Sequence, residues 1–170
     1  MTSDNNKNKQ AELAGLYEEY YDKITRYAYT RVGNRNDAED IAGEVFLKAL
    51  ESLRTYKEQG IPMQSWLFKI AHNLVVDHLR KASKHRYVQI DEIDIADESD
   101  PAATTELNME IDRVKQAMGN LTEDQKEVIR LRFIAGLSSR EVSGVMHKSD
   151  GAVREMQSAA LARLRQILGN

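Results

Sequence analysis

The sequence predicts an all-α protein: two small helical domains joined by an acidic linker, the C-terminal one a helix-turn-helix. Three observations predict it. The 170-residue chain carries only 2 Pro and 9 Gly, and its long runs are rich in Ala, Leu, Glu, Lys and Arg, which favour helix over sheet. Apolar residues recur at helical spacing in successive blocks. Between residues 88 and 106 that periodicity stops and basic residues vanish.

Hydrophobic residues make up 41% of the chain, enough for packed cores. Zero cysteines exclude a disulfide framework and any Cys-ligated zinc site, as suits a reducing cytosol. The opening "MTSDNNKNKQ", residues 1–10, is polar, has no signal-peptide core and is expected to be a flexible N-terminus. No apolar run approaches the roughly 20 residues of a membrane span, so direct membrane insertion is not expected. The net charge of -3 hides an uneven distribution. Residues 1–87 hold 14 basic and 12 acidic side chains, residues 88–106 hold none and 7, and residues 107–170 hold 10 and 8. Two mildly basic parts thus flank an acidic connector, and a nucleic-acid partner is compatible with the low overall charge because local patches set the field.

The first domain spans residues 11–87. From Ala11, Leu13, Leu16, Tyr17, Tyr20, Ile24, Tyr27 and Ala28 give a helix that "GNRND" breaks. Asn36 is placed to cap the next helix, with Glu39 at its third position and Asp37 and Asp40 favoured by the helix dipole. Ile41, Val45, Phe46, Ala49, Leu50 and Leu53 continue it. Gly60 and Pro62 make Thr55 to Gln64 a loop. "SWLFKIAHNLVVDHLRK" is then a third helix. Leu67, Ile70, Ala71, Leu74 and His78 centre its core side, widened by Phe68, Val75 and Leu79. Opposite lie Lys69, His72, Asn73, Val76 and Arg80, a face about 16 Å long, with Lys81, Lys84, His85 and Arg86 beyond. Lys and Arg meet phosphates, while Asn, His and a small apolar residue meet bases. Tyr56, Trp66 and Phe68 add aromatic surface for stacking single-stranded bases. A plain solvated face would read the same way, and each aromatic could equally be core.

Residues 88–106 form the acidic linker, with Pro101 and no helical period. The second domain spans residues 107–170. "LNMEIDRVKQAM" is an amphipathic helix stopped by Gly119 and Asn120. Thr122 with Gln125 and Ser138 with Glu141 have capping-box spacing, and Ser149 caps a helix starting at Asp150. A short helix, the turn "HKS" and a long C-terminal helix make a helix-turn-helix.

The four histidines, His72, His78, His85 and His147, lack metal-ligand spacing, and no catalytic triad, glycine-rich phosphate loop or paired acid motif stands out. Neither an enzyme nor a bound cofactor is expected.

Three blocks carry a resemblance to the bacterial group IV, or extracytoplasmic-function (ECF), sigma factors of RNA polymerase, in the sigma-70 family. "NDAEDIAGEVFLKAL" resembles region 2.1 to 2.2, "SWLFKIAHNLVVDHLRK" resembles region 2.3 to 2.4, and "LTEDQKEVIRLRFIAGLSSREVSGVMHKSDGAVREM" resembles region 4. The resemblance implies a promoter-specificity subunit whose partners are core RNA polymerase, through its β′ clamp helices and β flap, and promoter DNA. An anti-sigma factor is the further partner it implies. Clamp-binding would fall to Asp37, Glu39, Asp40, Glu44 and Phe46. Minus-ten binding would fall to Tyr56, Lys57, Trp66, Lys69, His72, Asn73, Val76, Arg80, Lys81 and Lys84, with Asn73, Asp77 and Arg80 matching the family pattern. The loop Thr55 to Gln64 would pocket a flipped base, whose extrusion costs a few kcal/mol. Minus-thirty-five binding would fall to Arg140, Ser149, Arg154, Gln157 and Ser158. Glu155, Met156 and Ala159 depart from the basic pattern of the recognition helix, which predicts weak independent binding there. His147 and Lys148 replace the Gly and apolar residue of the turn. The implied location is cytoplasmic, with an anti-sigma factor able to hold the chain at a membrane. The alternative is a stand-alone helix-turn-helix transcriptional regulator, or a helical adaptor that does not read DNA.

Overall fold

The computed structural model describes residues 2–57, 62–86 and 105–169. Its elements are α1 (Thr2–Val32), α2 (Arg35–Glu51), α3 (Met63–Arg86), α4 (Thr105–Met118), α5 (Glu123–Ile129), a π-helical turn (Arg130–Ile134), α6 (Ser139–Met146) and α7 (Asp150–Leu168), with no strand among the described residues. The chain is all-α. Residues 88–104 of the acidic linker, and 58–61 of the loop, lie outside the described residues.

Local signals explain most boundaries, with three corrections. Helix α1 starts at Thr2, so residues 2–10 extend it instead of forming a flexible tail. Lys9 ties that end down, donating to the Tyr56 carbonyl at 2.8 Å and the Leu53 carbonyl at 3.5 Å. The cap of α2 is Asn34, not Asn36, and its side chain accepts from the Asp37 N–H. Gly33, at φ 73°, ends α1 in the left-handed region and leaves the next residue extended, as a cap requires. Helix α4 begins two residues before Leu107. Both predicted capping boxes form, at Thr122–Gln125 and Ser138–Glu141, and Ser149 caps α7 by accepting from the Ala152 N–H.

Helices α1, α2 and α3 pack around Ile24, Tyr27, Val45, Leu67, Phe68 and Val75, all fully buried. Burying each such side chain contributes on the order of 1.5–3 kcal/mol. The inward side of α3 is centred on Leu67, Phe68, Ala71 and Val75, whereas Ile70, Leu74 and Leu79 are only partly buried. The extra residue of the π-helical turn buries Leu131 while Phe133 stays exposed.

The hydrophobic cluster of the first bundle does not stop at the domain boundary. Val128, Leu131, Leu137, Val142, Val145 and Val153 belong to the same cluster as α1 to α3. A smaller cluster of Leu121, Ile129 and Ala160 holds α5 to α7, with Met118 of α4 against it. The helix-turn-helix body therefore lies directly on α1 and α3.

Candidate nucleic-acid interface

On α3 the polar stripe is divided along its length. Asn73, Val76, Arg80, Lys81 and Lys84 are exposed. Arg80 pairs with Asp77 one turn earlier, which holds its guanidinium along the helix surface. Nearer the N-terminus of α3, Lys69 and His72 are half-covered and Ser65 is buried, because α6 packs there and Glu127 of α5 reaches His72. His78 is not a core residue. Its Nε2 lies 3.5 Å from the Asp37 carboxylate, at the start of α2.

Two hollows flank this stripe. One, of about 340 Å³, is lined by Tyr56, Lys57, Ser65, Trp66 and Lys69 from the first bundle, and by Gly144 and Val145 of α6. Tyr56 and Trp66 stack there with centroids 4.5 Å apart. Tyr56 and Lys57 come to it from the described start of the loop, and α6 closes one side of it. The other, also about 340 Å³, runs between α2 and α3 and brings together Trp66, Asn73 and Asp77 with Lys48 and Glu51.

The covering body carries two acids onto the stripe. Ser65 Oγ donates to Glu141 Oε2 at 2.5 Å. Glu127, 3% exposed, places Oε2 2.6 Å from Arg31 Nη1, 3.8 Å from His72 Nδ1 and 3.9 Å from Arg130 Nη1. The Tyr27 hydroxyl and the Arg31 guanidinium approach the same His72 Nδ1, at 3.3 and 3.4 Å. Burial pushes the Glu127 carboxyl up, but contact with His72, the Arg31 charge and the Tyr27 hydroxyl outweigh it, so its pKa lies below the ordinary value. Burial likewise lowers Arg130 and raises Tyr27 well above the usual phenol range. Sequence reasoning did not find Arg31 or Glu127. The available signal was that Glu127 stands one helical turn before Leu131, in an inward-facing register.

Glu39, Asp40 and Glu44 are exposed along α2, and Asp37 is half-buried by its His78 contact. Phe46, in contrast, is 7% exposed and packs edge-on against Tyr17 at 4.9 Å, so it supports this surface from beneath. On α2 the large apolar residues that reach solvent are Leu47 and Leu50, at 57% and 53% exposure.

On the helix-turn-helix, Arg140, Ser149, Arg154 and Ser158 are exposed. Ser149 is committed to its cap, Arg154 pairs with Asp150 at 3.0 Å, and Gln157 accepts from Arg132 Nε at 2.9 Å. The turn passes through His147 at φ 56°, left-handed without a glycine. Among the described residues no cluster could hold a metal ion, and no helix is long and apolar enough to cross a membrane.

Comparison with known proteins agrees with this arrangement. The Sigma-70 region 2 family matches residues 16–85 and the Sigma-70 region 4 family residues 117–166. The chain is 36% identical over 155 residues to the ECF RNA polymerase sigma factor BldN of Streptomyces coelicolor, covering 90% of this chain and 59% of that relative. It is 34% identical to the ECF RNA polymerase sigma factor ShbA of Streptomyces griseus, covering 84% of this chain and 80% of the relative. Among solved structures, the sigma factor RpoE bound to the anti-sigma factor NepR from Bartonella quintana has a TM-score of 0.72 at 22% identity, covering 92% of this chain and 96% of that one. CnrH in complex with the cytosolic domain of CnrY has a TM-score of 0.70 at 22% identity, covering 98% and 94%. The structural likenesses speak for the fold, and the sequence likenesses, over most of both chains for ShbA, speak for the family. With both region matches in order on one chain, this protein belongs to the ECF RNA polymerase sigma factors of the sigma-70 family.

Proposed function

We propose that this chain directs core RNA polymerase to specific promoters and helps open the minus-ten element, catalysing no reaction of its own. The observation that carries the reading is the order of the two sigma regions on one chain, the first presenting the α3 stripe and the second a helix-turn-helix. Exposed Asn73, Val76, Arg80, Lys81 and Lys84, with Tyr56, Lys57, Trp66 and Lys69 lining the stacked-ring hollow and half-covered His72 on the same stripe, support a minus-ten contact. Aromatic surface offsets the loss of stacking when a base leaves the duplex. Arg140, Ser149, Arg154, Gln157 and Ser158 are the minus-thirty-five candidates. The internal pairing of Arg154 and Gln157 favours weak binding there. Glu39, Asp40 and Glu44 around Leu47 and Leu50 form an acidic and apolar face suited to the β′ clamp helices, with the β flap as a second contact on polymerase. An anti-sigma factor is the further partner, since RpoE is described bound to one. The chain would act in the cytoplasm, and a membrane link would run through that partner.

The test is in vitro transcription with purified core enzyme and a library of genomic promoters. Co-purification with core and initiation at a defined promoter set is expected. A protein that neither joins core nor directs initiation anywhere would overturn the reading.

A further inference from the structure

Arg31 lies outside every segment given a DNA role above, yet it projects to the middle of the α3 stripe, 3.4 Å from His72 Nδ1. Its acid partner among the described residues is Glu127, which belongs to the covering body. The arrangement is asymmetric. If the two bodies part, Glu127 retains Arg130, one helical turn away on its own body, whereas Arg31 and His72 lose that carboxylate. Guanidinium forks meet carboxylate and phosphate through the same donors. A second acid of the same body, Glu141, sits on Ser65 of the stripe, seven residues or about 10 Å along α3 from His72. Two carboxylates of the helix-turn-helix body thus lie along the track on which an anionic strand would run.

We propose that Arg31 and His72 form a phosphate-binding site for the unpaired promoter strand, and that Glu127 fills this site in the closed arrangement, so that the helix-turn-helix body and DNA compete for it. The site rests on the promoter-strand reading of α3. Arg31 is its new member, and Glu127 is the built-in competitor. Strand entry then requires the two bodies to separate, which also uncovers the Tyr56–Trp66 hollow that α6 closes.

The chain contains no cysteine, so Glu12→Cys and Ala162→Cys, both at exposed positions, accept a dye pair that reports separation of α1 from α7. Binding of a fluorescent single-stranded 15-mer of mixed sequence is measured on the same full-length protein without polymerase. Glu127→Gln is expected to lower energy transfer and tighten DNA binding. Arg31→Gln is expected to lower energy transfer too, yet bind the strand roughly tenfold more weakly than Glu127→Gln, the worth of one charge-assisted contact. Arg31→Lys should recover part of that affinity. If Arg31→Gln and Glu127→Gln tighten binding equally, the pair is only a latch and the phosphate site is refuted. Should Arg31→Gln lose its helical circular dichroism, the unsubstituted protein decides. Saturating 15-mer must lower its energy transfer, and a DNA-bound chain that stays closed overturns the proposal. Failure of promoter-directed transcription alone would refute the sigma reading and leave these readouts unchanged.

Discussion

Ser65 Oγ donates to Glu141 Oε2 at 2.5 Å, joining the first turn of α3 to the capping box of α6 across 76 residues of sequence. Glu141 therefore has two duties. It caps its own helix with Ser138 and fastens that helix over the hollow beside Trp66.

The two duties separate by mutation. Ser65→Ala should weaken only the contact between the bodies, by about 1 kcal/mol for one hydrogen bond. Glu141→Ala should cost more, because the lost reciprocal cap adds roughly 0.5–2 kcal/mol. Urea unfolding followed by Trp66, the only tryptophan in the chain, measures both. Equal losses would mean that the cap contributes nothing.

Closure should also respond to acid. The Glu127 pKa is depressed in the folded chain, so its contribution is complete above the ordinary value of 4.5 and is lost as pH falls through the lower folded value. Protonated Glu127 leaves Arg31, His72 and Arg130 facing one another without their shared anion. Small-angle scattering should then report expansion of the wild type below the ordinary carboxylate range. Glu127→Gln should start more open and lose this pH step.

The turn of the helix-turn-helix stores backbone strain at His147, whose φ is 56°. A non-glycine residue there costs about 1–2 kcal/mol, partly offset by the greater freedom of glycine in the unfolded chain. His147→Gly should therefore stabilise the protein by roughly 0.5–1 kcal/mol in thermal unfolding. The opposite holds at Gly33, φ 73°, where Gly33→Val should destabilise by a similar amount or more.

On α2, Leu47→Glu with Leu50→Glu alters two exposed apolar positions and should leave folding within about 0.5 kcal/mol of wild type. Core polymerase capture should fall by tenfold or more, as for loss of apolar anchors at an interface, roughly 2 kcal/mol or above. A pull-down with purified core reads this directly.

Arg80→Ala should reduce single-strand binding and lower the slope of log affinity against log salt by about 0.7, the value for one phosphate contact on a single strand. Asn73→Ala should weaken binding without changing that slope. Both variants should still capture core polymerase, since both side chains belong to α3 and leave the exposed Leu47 and Leu50 of α2 unchanged.

Helix identity was legible because its signals are short-ranged. The Thr122–Gln125 and Ser138–Glu141 boxes, the Ser149 cap and the spacing of Leu67, Ala71 and Val75 each involve residues within one or two turns. The cap of α2 was misplaced by two residues because Asn34 and Asn36 are both good caps, and only the left-handed Gly33 selects the first. Phe46 has the composition of a binding residue and the environment of a core one, and its burial depends on Tyr17 of another helix.

By itself the sequence determined the helices, the caps of α5, α6 and α7, the polar stripe of α3 and the helix-turn-helix, since hydrogen bonds and periodicity act between neighbours in the chain. Only the tertiary structure decided that the second body lies on the first, that Ser65 is buried and His72 half-covered while Asn73 and Arg80 stay open, and that Arg31 meets Glu127. Those outcomes depend on shape and charge matching between surfaces far apart in sequence, which no local pattern encodes.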